Sequence, residues 1–116
     1  MKTERQYSVL GAIPTPTRET ILVSKIRLGD NYRRTFSIKS ILELRDSICN
    51  CGQVEDIIVE KAGRGETLHY QLVSGEKRYH AFKKGKIELA RAQVYPKLMP
   101  EQRLLMQLEE NRQEPV

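Results

Sequence analysis

The run Leu72-Val73-Ser74-Gly75-Glu76-Lys77-Arg78-Tyr79-His80-Ala81 constrains this chain more than any other. An apolar strand ends at Val73, a helix begins at Gly75, and Gly85 is placed to stop it. The junction sets a small residue, a carboxylate and two cations at a helix N-terminus. Unpaired N–H groups and the helix dipole favour an anion there. Gly75 would let a ligand approach the backbone. Lys77 and Arg78 can neutralise phosphate, Arg with a fork and Lys as a point charge. Glu76 does not belong in a pure anion trap and makes sense if a cation such as Mg²⁺ accompanies the phosphate. The competing reading is an ordinary strand–turn–helix with a solvated basic first turn.

The 116 residues suit one domain, and a 39% hydrophobic fraction supplies a modest core. The apolar runs are much shorter than the roughly 20 residues of a membrane span, and no signal peptide is visible, so a cytoplasmic protein without membrane association is expected. A net charge of +5 and a pI of about 9.4 are compatible with a nucleotide or nucleic-acid partner. Cys49 and Cys51 are too close for an ordinary structural disulfide. They also lack nearby ligands for zinc, so they read as partly buried thiols at a helix end.

Residues 1–20, with Pro14-Thr15-Pro16-Thr17, read as a flexible N-terminal arm, and 21–116 as the folded domain. A strand is expected over 21–28. Ser37 caps a helix over roughly 38–50 whose apolar face is Ile38, Ile41, Leu42, Leu44 and Ile48, interrupted by Arg45, with Cys51-Gly52 as its end. Strands follow at Ile57-Ile58-Val59 and at 69–73, joined by a hairpin turn over 63–66. Next come a helix from Gly75 to Lys84 burying Tyr79 and Phe82, and a strand over 89–95. A last helix starts at Pro100 with Leu104, Leu105 and Leu108 inward. The order β-α-β-β-α-β-α gives an α+β or mixed α/β class.

These residues resemble the N-terminal domain of ParB partition proteins, within the ParB/sulfiredoxin superfamily. Ile48 to Val59 is similar to its helix–Gly–strand block. Ser74 to Ala81 is similar to its GERR box, and Glu110-Asn111 to the start of its ENxxR box. Asn31-Tyr32-Arg33-Arg34-Thr35-Phe36 resembles its QPRxxF segment. The match covers about residues 21–114. It implies an α+β, ParB/sulfiredoxin-like fold, a small mixed β-sheet with about three packed helices. It also implies a pocket for CTP with Mg²⁺. Arg33, Ser74, Gly75, Glu76, Lys77 and Arg78 would hold the nucleotide and its phosphates. Glu110 and Asn111 would hold the metal, converging on the Gly75–Arg78 turn from about 32 positions away. Departures from the pattern are Lys77 for Arg, Glu114 for the closing Arg of ENxxR, Asn31 for Gln and Asp56 for Pro.

The implied function is a CTP-binding module in DNA partition or mobile-element maintenance. CTP hydrolysis stays open, and no catalytic residue is assigned. Sulfiredoxin activity is not expected, because that branch carries its cysteine in the phosphate-binding loop and this loop has none. The alternatives are a metal-assisted phosphoryl-transfer enzyme or nuclease of the same fold, or a ligand-free interaction domain. Within these residues there is no helix-turn-helix and no dimerising C-terminus, so a fragment or stand-alone relative is expected. DNA would then be contacted weakly, or through a missing domain or partner protein, and homodimerisation stays open.

Overall fold

The computed structural model describes residues 13–29 and 35–113, with side chains as far as residue 109. Within them a five-stranded mixed sheet carries three helices. The elements are β1 (Thr17–Leu22), a 3-10 turn (Val23–Lys25), β2 (Ile26–Arg27), α1 (Ile38–Cys51), β3 (Ile57–Ala62), a second 3-10 turn (Gly65–Thr67), β4 (His69–Ser74), α2 (Glu76–Lys84), β5 (Leu89–Tyr95) and α3 (Pro100–Gln113). The strand order is β1-β5-β3-β4-β2. β1–β5 and β3–β4 pair antiparallel, while β3–β5 and β2–β4 pair parallel.

The strand expected over 21–28 is two strands on opposite edges of the sheet. The spacing of the buried residues explains the break. Ile21 and Val23 lie two apart and share a strand face, but Ile26 lies three further on and would point outward in a continuous strand. The 3-10 turn re-aims it, and all three join one core. The first strand also begins at Thr17, so residues 17–20, assigned to the arm, form a ladder with β5.

α1 matches its sequence signals. The Ser37 hydroxyl oxygen accepts the Ser40 N–H at 3.1 Å, and Gly52, at φ +85°, closes the helix. Its buried face is narrower than expected: Ile41 is buried and Ile48 packs on the core, but Ile38 is exposed. Cys49 and Cys51 are exposed free thiols rather than partly buried ones.

The core joins Ile57 and Val59 of β3, Leu72 of β4, Ala90, Ala92 and Val94 of β5, and Phe82 of α2. A fully buried side chain the size of Phe82 contributes about 1.5–3 kcal/mol. Half-buried Tyr79 packs against this core.

α3 departs from expectation. Leu104 and Leu108 are about half exposed, and the helix docks instead through polar side chains. Arg103 Nε donates to Glu60 Oε1, and buried Gln102 accepts the Met99 N–H at 2.9 Å. Glu60 is adjacent to Val59 in β3, so it faces the opposite side of the sheet. The first turn of α3 therefore sits on the face away from Phe82.

Candidate functional site

β4 delivers Ser74 as its last residue, paired with Ile58, and the chain turns into α2 at once. Gly75 occupies the N-cap at φ +106°, ψ 34°, and it is buried. A Cβ there would meet Ile57 Cγ2 at 2.8 Å. Gly75 is therefore required by its left-handed backbone and by the packing of β3 beneath it, whereas the sequence suggested the approach of a ligand. Its carbonyl accepts the Tyr79 N–H at 2.9 Å, the first bond of the helix. Gly75 has no side chain with which to cap α2, and the first turn carries the positive end of the helix dipole.

Glu76 opens this turn with only 5% exposure. His80, one helical turn on, places Nε2 at 3.2 Å from Glu76 Oε2. Oε1 is buried and has no hydrogen-bond partner among the described residues. Such an atom bears its desolvation cost uncompensated, typically about 1–3 kcal/mol and more when charged. The His80 ring is itself set between Phe36, at 6.2 Å between ring centroids, and Tyr79, at 5.5 Å edge-on.

Lys77 and Arg78 follow on α2, both half-buried. The Arg78 guanidinium is paired with the carboxylate of Glu55, in the loop between α1 and β3. Sequence reasoning did not single out Glu55. Its place just before Ile57, the residue beneath Gly75, brings it to the turn, and only the β3–β4 pairing reveals this.

The remaining sequence-assigned residues lie beyond this geometry. Arg33 falls outside the described residues, as do Asn31 and Glu114. Glu110 and Asn111 stand near the end of α3, and their side chains are outside the described set. Among the described residues, no three His, Cys, Asp or Glu side chains converge as a metal-binding group. One buried carboxylate with an oxygen unpartnered among the described residues still fits Mg²⁺, which takes one or two carboxylates and keeps phosphate oxygens and water as its other ligands.

A second polar cluster pins the loop that carries Glu55. Arg91 of β5 donates its backbone N–H to Gln53 Oε1 at 2.8 Å, and its carbonyl accepts Gln53 Nε2 at 2.7 Å. Its guanidinium donates to the Gln53 and Val54 carbonyls at 2.7 and 3.1 Å, and to Asp56. Arg18 of β1 reaches Asp56 at 3.0 Å. Burial raises the Asp56 pKa, but the hydrogen bonds and charges of Arg91 and Arg18 outweigh it and hold the carboxyl below its usual value. At the other end of α2, a groove of about 420 Å³ is lined by Leu22, Phe82, Lys83, Lys86 and Ile87 among others, and it is remote from the Gly75 turn.

The family described as the ParB N-terminal domain matches residues 11–112 of the chain. A stretch of 70 residues, 60% of the chain, is 36% identical to the probable chromosome-partitioning protein ParB of Rickettsia felis, and it spans 22% of that protein. The chain thus corresponds to a minor part of the relatives it matches. Among solved structures it resembles the C-terminally truncated chromosome-partitioning protein ParB from Caulobacter crescentus complexed with CTP-gamma-S. The TM-score is 0.74 at 24% identity, covering 86% of this chain and 55% of that one. It also resembles sulfiredoxin from Arabidopsis thaliana, with a TM-score of 0.57 at 25% identity, covering 80% of this chain and 98% of that one. These likenesses agree with the ParB/sulfiredoxin-like fold expected from the sequence. No cysteine lies in the Gly75 turn.

Proposed function

This chain belongs to the ParB N-terminal domain family, and on that premise we propose that it is a CTP-binding module of DNA partition, taking the nucleotide with Mg²⁺ at the Gly75–Arg78 turn. The observation that carries the reading is Glu76: a buried carboxylate with one oxygen unpartnered among the described residues, followed in sequence by two cations at a helix N-terminus. Glu76 Oε1 would hold the cation, whose charge would offset the desolvation of that atom. When bound, Mg²⁺ supplies charge neutralisation between the carboxylate and the phosphates.

The chain's own residues do the rest. The first-turn N–H groups of α2 hold phosphate oxygens. Arg78 turns from Glu55 to the phosphates, and Lys77 adds a point charge. His80 holds Oε2, so the orientation of the Glu76 carboxylate is set in advance. The family resemblance adds Arg33 as a further nucleotide contact and Glu110 and Asn111 as the residues that would hold the metal. The choice of CTP follows the Caulobacter relative, which was crystallised with CTP-gamma-S. DNA contact by this domain alone is non-specific and falls steeply with salt. The proposed setting is the cytoplasm, and no helix among the described residues is long and apolar enough to cross a membrane.

Calorimetric titration with CTP, ATP, GTP and UTP, with and without Mg²⁺, tests this reading. Arg78→Ala is expected to weaken CTP binding by about tenfold, the loss of one charge-assisted contact. Unchanged affinity places the nucleotide elsewhere, and no binding of any nucleotide at millimolar concentration favours a ligand-free interaction domain.

A further inference from the structure

The Gly75 turn contains as many carboxylates as cations among the described residues. Lys77 and Arg78 follow Glu76 in the first turn of α2, and the ion pair with Arg78 adds Glu55. Glu55 is not a wandering surface residue, although its side chain is 71% exposed. Its own carbonyl accepts Gln53 Nε2 at 2.8 Å, and the neighbouring Gln53, Val54 and Asp56 are all held by Arg91. Asp56 is gripped a second time by Arg18. Two strands thus fix the backbone on both sides of Glu55. When an anion takes Arg78, the fixed backbone keeps the Glu55 carboxylate within one side-chain length of the incoming charge, although the side chain itself can rotate toward solvent.

We infer that Glu55 is a specificity-determining residue of this site: clamped beside Arg78, it makes the turn accept a cation-complexed polyphosphate and reject the free polyphosphate. The inference rests on the nucleotide reading above. A free triphosphate meets repulsion from both Glu55 and Glu76. A divalent cation cancels part of the ligand's charge and engages Glu76, so the complexed form meets much less. Glu55 therefore weakens the two forms unequally. Asp56, Arg91 and Gln53 are positioning residues that act through it.

The test compares the dissociation constant of CTP in EDTA with that in Mg²⁺, by NMR titration of the intact chain, for wild type, Glu55→Gln and Asp56→Asn. Thermal melts confirm that each variant is folded. In Glu55→Gln the ratio of the two constants is expected to shrink by about fivefold, mostly through tighter metal-free binding, as befits one exposed charge pair. Asp56→Asn moves the ratio in the same direction by less, because the loop loosens while the charge remains. An unchanged ratio in Glu55→Gln, or an equal gain in both conditions, overturns the inference while leaving nucleotide binding intact. If wild type and Glu55→Gln bind no CTP in either condition, the nucleotide reading fails and the inference falls with it.

Discussion

Glu60 and Glu76 are both carboxylates buried to 5% exposure or less, and their surroundings differ completely. Glu60 has a partner on each oxygen: the Leu98 N–H at 2.7 Å on Oε2 and Arg103 Nε on Oε1. It fastens α3 to the sheet. Glu76 has His80 on one oxygen and nothing among the described residues on the other. A buried carboxylate with complete partners is a structural anchor, and its worth appears when a partner is removed. One that stays incomplete at a helix N-terminus is costly to the fold, and the proposed cation would relieve that cost.

Removal of the anchor's partner should have the largest effect. Arg103→Ala leaves Glu60 buried without a counter-charge and is expected to cost about 3–5 kcal/mol in urea denaturation. A loss under about 1 kcal/mol would mean that Glu60 is no more an anchor than Glu76. Next, Gly75→Ala forces a side chain into a left-handed backbone against Ile57, for a loss of about 2–4 kcal/mol. Thermal melts of this variant separate the packing role of Gly75 from any ligand role, since the loss should appear with no nucleotide present.

Asp56 supplies a smaller, pH-dependent contrast. It is a paired carboxylate like Glu60, and its pKa lies below the ordinary 3.8. A depressed pKa means that its stabilisation is complete above the unfolded-state value. It is lost as pH falls from about 4 through the folded-state pKa. Melts across that window should show wild type losing stability faster than Asp56→Asn. Parallel curves would show that its pairing with Arg91 and Arg18 is energetically idle.

The smallest effect on stability is expected at Glu76 itself. Glu76→Gln removes a charge that lacks a full set of partners, so the fold should be unchanged or gain up to about 1 kcal/mol. The same variant should reduce the Mg²⁺ enhancement of CTP binding measured by calorimetry, leaving the part that Glu55 contributes. Strong destabilisation by Glu76→Gln would turn Glu76 into a second anchor and remove the distinction from Glu60.

The sequence displayed the junction plainly, because strand, glycine and helix are local signals. Ser37, Gly52, Gly75 and Gly85 each mark a boundary through chemistry within a few residues. The Glu60 anchor was not legible. Its sole signal is a charge directly after the apolar triplet Ile57-Ile58-Val59, and its partner lies 43 positions away. The inward assignment of Leu104 and Leu108 failed for a related reason: periodicity reveals that a helix has a stripe but not what that stripe meets. The Arg103–Glu60 pair and the burial of Gln102 mark the docked side instead.

The sequence by itself determined where most elements start and stop, the α+β class and the residues of the Gly75–Arg78 turn, all of which depend on backbone preference and spacing over short distances; the family was legible through the resemblance of its motif blocks. Only the tertiary structure decided that β1 and β2 lie on opposite edges, that Gly75 is small because of Ile57, and that Arg78 is engaged by Glu55. It also left Glu76 Oε1 buried without a partner among the described residues. Those outcomes depend on which distant groups pairing brings together, and the free energy of a buried charge is set by its neighbours in space rather than in sequence.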